Sequence, residues 1–152
     1  MSERPAPRVV VHPDKQAVAD ASGARLLLTL LDTLAVRESA HVALTGGSLG
    51  SAILASAGAS PLLGLVDWSR VHLWWGDERY LPDGDPDRNE TQNRAALLDR
   101  LPLDPAHVHA MAGPDRSASA EASATAYGQE LREQGDGLFD VAIRSGGVFQ
   151  RA

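Results

Sequence analysis

His41-Val42-Ala43-Leu44-Thr45-Gly46-Gly47-Ser48-Leu49 is the stretch whose reading decides the fold. Its first five residues are short and apolar enough for a buried strand, and they run straight into two glycines and a serine. From Ser48 the spacing turns helical. Leu49, Ile53, Leu54 and Ala57 share one face, and Gly58 ends the pattern. Val71-His72-Leu73-Trp74-Trp75 then reads as the next strand, interrupted by Gly76. Strand, glycine turn, helix and strand in that order make a βαβ unit with a parallel sheet.

Working outward, Arg8-Val9-Val10-Val11-His12 is a β-branched run and reads as a strand. Asp14 is the expected N-cap of a long helix that stops at Arg37-Glu38-Ser39. Ala17, Ala21, Ala24, Leu28, Leu31 and Ala35 follow at spacings of three and four, and Leu27 and Leu34 widen that face. Downstream, residues 83–87 form a turn cluster and Asn89 to Leu101 reads as helical until Pro102. Residues 107–111 read as a short strand. Residues 117–134 read as a helix with Ala122, Ala126, Tyr127 and Leu131 on one side. Gly135-Asp136-Gly137 breaks it, and residues 138–143 form the last strand. The expected class is α/β, a Rossmann-like parallel sheet with flanking helices. No repeat or internal boundary interrupts residues 1–152, so one domain is expected.

Composition excludes several classes. The chain has 152 residues and no cysteine, which removes disulfides, Fe–S clusters, thiolate zinc sites and a cysteine nucleophile together. Fourteen basic against 20 acidic residues give a formal charge of −6, with no basic cluster, so no nucleic-acid partner is expected. There is no secretory leader pattern and no run of eighteen apolar residues. A cytoplasmic protein without a membrane partner is expected.

Ligands of open parallel sheets bind beyond the carboxyl ends of the strands. Two loops there carry suitable groups. Thr45-Gly46-Gly47-Ser48 precedes a helix: its glycines admit close approach, the free N–H groups attract an anion, and two hydroxyls add donors. No lysine follows the glycines as in a Walker A loop, and the spacing is not the dinucleotide fingerprint. A plain βα turn with a serine N-cap reads equally well from these residues. In Trp74-Trp75-Gly76-Asp77-Glu78-Arg79-Tyr80, Asp77 can orient or accept a proton, and Arg79 can hold a phosphate or a developing oxyanion. The alternative is a solvated loop with an Asp–Arg surface pair. His12, His41, His72, His107 and His109 lie in or beside expected strands without zinc spacing, so no metal site is expected. No Gly-x-Ser-x-Gly elbow is present.

Thr45-Gly46-Gly47-Ser48, the run from Val66 to Arg79 containing Trp75-Gly76-Asp77-Glu78-Arg79, and Asp85-Pro86-Asp87-Arg88-Asn89, in that order, resemble the 6-phosphogluconolactonase family. Ala95-Ala96-Leu97-Leu98-Asp99, Pro102, Val108-His109 and Phe139-Asp140-Val141-Ala142-Ile143 extend the likeness over about residues 8 to 143. The glycine loop is shared with the glucosamine-6-phosphate deaminases, so a deaminase or isomerase of an amino-sugar phosphate is a competing expectation. The resemblance implies the fold of that superfamily and hydrolysis of 6-phospho-D-glucono-1,5-lactone to 6-phosphogluconate in the oxidative pentose phosphate pathway. It implies no metal or organic cofactor, a small-molecule sugar-phosphate lactone as partner, and water attack assisted by a histidine base. Asp77 and Arg79 match the orienting and charge-stabilising pair, and Thr45, Gly46, Gly47 and Ser48 match the sugar-phosphate loop.

The likeness stops at Ile143. The family's strand runs into a Gly-x-Gly-Pro-Asp-Gly-His block that holds the base, whereas residues 144–152 read Arg-Ser-Gly-Gly-Val-Phe-Gln-Arg-Ala. No histidine follows His109. A divergent tail on a C-terminally truncated, incomplete α/β domain is therefore expected, as a frameshift would leave. With it go weak hydrolysis, or sugar-phosphate binding without turnover, and an exposed strand edge that lowers stability.

Overall fold

A computed structural model of the chain describes residues 6–135, 137, 139–144 and the backbone of 147–150. β1 (Ala40–Leu44) is buried along its whole length and leads into α2 (Gly47–Gly58), which buries Ile53, Leu54 and Ala57. β2 (Val71–Trp75) pairs in parallel with β1, from Ala40↔Val71 to Leu44↔Trp75. After α3 (Asn89–Ala96) and α4 (Ala120–Gln134), β3 (Val141–Arg144) joins the other edge of β1, also in parallel. The strand order is β2-β1-β3-β4. The chain thus leaves β1 in one direction and returns on its other side, which makes this the expected α/β class. Within residues 144–152, expected as a tail divergent from the family's pattern, Gly147–Gln150 forms β4, which runs antiparallel along β3.

One sheet face carries the apolar core. Val42, Leu44, Val71, Leu73, Trp75, Val141 and Ile143 pack there with α2 and with α1 (Lys15–Val36). Asp14 caps α1 as expected, its carboxylate accepting from Ala17 N at 2.8 Å. At the other end, the Arg70 guanidinium donates to the carbonyls of Leu34, Arg37 and Glu38, which the helix itself leaves unpaired.

The buried face of α1 differs from the expected one. Ala19, Ser22, Gly23, Leu26, Leu27 and Leu30 are buried, whereas Ala24, Leu28 and Ala35 face solvent. The reason is the contact with α2: a Cβ at Gly23 would lie 3.0 Å from both Ala57 N and Ile53 O. Small residues let the two helix backbones approach, and an apolar count passes over them. On α4, Ser123 and Tyr127 are buried while Ala122 and Ala126 are exposed. Ser123 turns inward because its hydroxyl donates to Ala112 O at 2.6 Å.

Other expected elements shrink. Residues 8–12 form no strand; Val9 and Val11 are 81% and 88% exposed. β-Branching favours extended backbone, but a strand needs a ladder, and both edges of β1 are taken. Residues 107–111 contribute a single parallel bridge, Leu73↔Val108, after a 3₁₀ turn at Pro105–His107. The helix from Asn89 ends at Ala96, where Leu97 leaves helical geometry and a 3₁₀ turn at Leu98–Arg100 follows. Of the last expected strand, Leu138 lies outside the described residues. Asp140 stands just before β3, its carboxylate accepting from His41 N at 2.8 Å and pairing with Arg37. Among the described residues, no helix is long and apolar enough to cross a membrane.

The second sheet face is aromatic and polar. Four of the five histidines meet there. His72 stacks on His41 and His107 at centroid distances of 4.4 and 3.9 Å, and His109 stacks on Trp74 at 3.7 Å. Glu130 Oε1 lies 2.6 Å from His109 Nδ1, and His109 Nε2 lies 2.9 Å from His72 Nδ1. A carboxylate only accepts, so His109 Nδ1 carries a hydrogen toward Glu130, and a second hydrogen is shared between His109 Nε2 and His72 Nδ1. Tyr127 closes the layer: its hydroxyl accepts from Trp75 N at 2.9 Å and donates toward His109 O at 3.1 Å. Burial pushes that phenol up to about 12.

Two outcomes follow from this face. Burial, reinforced by neighbouring His41, His107 and His109 and opposed by Asp104, lowers the His72 pKa to about 4 from the ordinary 6.5. Between those values the unfolded chain holds the extra proton, so stability is full above pH 6.5 and declines as pH falls toward 4. Urea unfolding across that range should show a shallower decline in His72→Phe, and equal slopes would refute the assignment. Tyr127→Phe leaves Trp75 N without this acceptor and should lower stability by about 1–3 kcal/mol with an unchanged far-UV spectrum.

Candidate active site

At the carboxyl ends of β1 and β2, the two loops singled out in the sequence lie against one face of α3. Gly47 turns the first loop with φ +78°, a conformation that side-chain-bearing residues avoid. Its N–H donates to Gln92 Oε1 at 2.9 Å. Thr45 presents its carbonyl to Asn93 Nδ2 at 3.0 Å, and Asn93 Oδ1 accepts from Trp75 Nε1 at 2.8 Å. Gly46 abuts Asn89 so closely that a Cβ added there would fall 1.9 Å from Asn89 Oδ1. The N-cap residue of α2, Gly46, has no side chain to cap the helix, so Gln92 bonds its first N–H from outside. Ser48 is not its N-cap; the hydroxyl faces out and accepts from Lys15 Nζ at 2.7 Å.

In the second loop, Asp77, Glu78 and Arg79 do three different things. Asn89 Nδ2 donates to both Asp77 O and Asp77 Oδ1, at 3.0 and 3.1 Å. Glu78 is structural: its carboxylate accepts from Asn89 N at 2.6 Å and Glu90 N at 2.9 Å, so it caps α3 from outside the helix. Arg79 is exposed and its guanidinium forms no ion pair among the described residues, so the expected alternative of an Asp–Arg surface pair is absent from that set. Arg88, buried, donates to Leu81 O and Met111 O and lies within 3.8 Å of carboxylate oxygens of Glu78, Asp83 and Glu90. On the outer side of the same loop, the hydrogen bond from Arg116 holds the Asp83 carboxyl below its ordinary value.

Of the residues proposed from sequence, Thr45, Gly46, Gly47 and Asp77 are brought together through Asn89, Gln92 and Asn93. Ser48 borders the turn beside Lys15, and the Arg79 guanidinium makes no hydrogen bond or ion pair to the turn among the described residues. Gln92, Asn93 and Lys15 escaped sequence reasoning, and Asn89 entered it only within the family motif, without a role. The amides did leave a signal: positions 89, 92 and 93 share a helical face, and polar residues on a face turned to the protein mark a clamp rather than a solvated side. Among the described residues no three His, Asp or Glu side chains group as a metal site requires.

A glycine turn and a carboxylate held beside it stand at the carboxyl edge of a doubly wound sheet, the edge at which α/β proteins of this class bind small ligands. Family comparison makes this specific. The family described as glucosamine-6-phosphate isomerases/6-phosphogluconolactonase matches residues 13–147, and the chain belongs to it. A 6-phosphogluconolactonase of Streptomyces coelicolor is 54% identical over 127 residues, covering 82% of this chain and 49% of its own length. One from Mycobacterium leprae is 44% identical, covering 81% of this chain and 50% of its own length. The chain therefore spans about half the length of the curated relatives it matches. In fold, it is similar to a crystal structure of 6-phosphogluconolactonase from Thermotoga maritima (TM-score 0.71, 22% identity, 83% of this chain, 54% of that one). It is also similar to a monomeric glucosamine-6-phosphate deaminase (TM-score 0.75, 14% identity, 91% and 56%).

The turn makes a sharp prediction. Gly46→Ala drives a methyl group into Asn89 and should cost about 1–3 kcal/mol. Gly47→Ala has open space around its Cβ and is opposed only by its backbone angle, so it should cost about 1 kcal/mol. Urea unfolding of the two variants reads the order, and a larger loss at Gly47 would contradict the contact.

Proposed function

We propose that this chain forms the strand-end site at which 6-phospho-D-glucono-1,5-lactone is hydrolysed to 6-phosphogluconate. The observation that carries the proposal is the Asp77 carboxylate, fixed by Asn89 beside the Gly46–Gly47 turn. The likeness to named 6-phosphogluconolactonases supports the choice of substrate. In this reading residues 1–152 act as one unit in the cytoplasm.

The turn from Thr45 to Ser48 and the first turn of α2, beyond the Gly47 N–H held by Gln92, receive the phosphate, with Lys15 as a cation at its edge. Arg79 takes the developing charge on the lactone carbonyl oxygen, and Asp77 orients the attacking water. Water adds to the carbonyl carbon as its proton passes to the Asp77 carboxylate. The tetrahedral intermediate then expels the ring oxygen, which takes that proton back to become the C5 hydroxyl, and the new carboxylic acid releases its own proton to solvent.

A second reading, sugar-phosphate binding without turnover, is favoured by the histidines. His41 and His72 stand three residues before the carboxyl ends of their strands, about 10 Å away at the usual rise. His72 and His109 are engaged with each other, and His109 also with Glu130. Neither geometry supports an imidazole acting as base beside Asp77.

The test is hydrolysis of freshly generated lactone by the purified chain, read against the spontaneous rate, together with calorimetric binding of 6-phosphogluconate. Hydrolysis above background that falls by about 10²-fold or more in Asp77→Ala supports the lactonase reading. Binding without added rate supports the second reading, and loss of both defeats each.

A further inference from the structure

We propose that Asn89 is the positioning residue of this site, setting the Asp77 carboxylate in place relative to the Gly46–Gly47 turn. The proposal rests on the reading of Asp77 given above for its catalytic consequence, and on geometry alone for the positioning itself.

Asp77 is exposed, and an exposed aspartate ordinarily samples several rotamers. Here a single amide nitrogen donates to two atoms of the same residue, the backbone carbonyl at 3.0 Å and Oδ1 at 3.1 Å. Two bonds from one donor group restrict the side chain against its own backbone. Asn89 is itself restrained from two further directions. Its N–H is taken by Glu78 Oε1 at 2.6 Å, and its Oδ1 stands over Gly46, where no Cβ could fit. It is buried, so it cannot swing out to solvent. A displacement of either loop is therefore transmitted to the other through one side chain. Where a reaction depends on the placing of a proton-handling group, an error of about 1 Å costs on the order of 10²-fold in rate.

Asn89→Asp tests this with almost no change of shape: the donor becomes a second carboxylate oxygen facing Asp77, and attraction becomes repulsion. Three-bond NMR couplings should report one staggered χ1 rotamer for Asp77 in the parent protein and averaged values in the variant. On lactone, kcat should fall about 10- to 100-fold with KM within about threefold, a split that general loosening of the fold would not produce. In an Asp77→Ala background, Asn89→Asp should add less than about threefold, because it acts through the residue already removed. Should Asn89→Asp fail to fold, Asn89→Ala removes the donor without adding charge and reads the same couplings. Averaged Asp77 couplings in the parent protein, or unaltered couplings in both variants, would overturn the proposal whatever the rates. Absence of any lactone hydrolysis in the parent, with Asp77 ordered there and averaged in the variant, would defeat the functional reading while upholding the positioning.

Discussion

Asn93 has no solvent exposure, and both its amide ends are spent on joining two strands. Its nitrogen holds the carbonyl of Thr45, just past β1, and its oxygen holds the indole of Trp75, the last residue of β2. A buried amide left half-satisfied would be costly, so the two bonds stand or fall together. The consequence is that the carboxyl edge of the sheet is closed by a polar helix face instead of an apolar one. Asn89 and Gln92, on the same face, extend that closure to Asp77 and to the glycine turn. α3 is short and poorly apolar because its task is to hold loops, while the core is left to α1, α2 and the strands.

The charge around this clamp is arranged in the same spirit. Glu78 does the capping that no side chain of the helix performs for itself, and Arg88 anchors the returning loop by two backbone carbonyls. Three carboxylates surround that buried cation, so its charge is compensated within the loop. Asp77 and Arg79, both exposed, are the members of the charged run that take no part in these caps and buried ion pairs.

The parts of the fold that were legible in the sequence are those set by local pattern. The strand-to-helix passage from His41 to Gly58, the N-cap at Asp14 and the strand from Val71 to Trp75 follow from run length, glycine placement and spacing. What misled was the equation of buried with apolar. The inner face of α1 turns on Ser22 and Gly23, and that of α4 on Ser123, because close approach and hydrogen bonding outrank hydrophobicity there. The run Arg8–His12 has strand chemistry but no partner among the described residues, and pairing is a property of the whole sheet. At the candidate site, residue types pointed to Thr45–Ser48, Asp77 and Arg79, and α3 joins Thr45, Gly46, Gly47 and Asp77. The separate duties of Glu78 and Arg79, and the layer that gathers four histidines, depend on contacts between segments far apart in the chain, which no local pattern encodes.

That distance also orders events in time. β1 and β2 are joined by a connection of ordinary length, and the helices that cover their apolar face lie close in sequence. β3 is different: the carboxylate of Asp140 reaches His41 across 99 residues, so the pairing it introduces carries a large loop-closure penalty. Contacts of such separation form late and slow the folding of sheets that need them. During synthesis, β1 must therefore wait with one edge bare until β3 has emerged, and in that interval a buried strand rich in apolar residues is open to pairing with another chain. The longer that wait, the greater the chance that the bare edge of β1 pairs elsewhere before the sheet is finished.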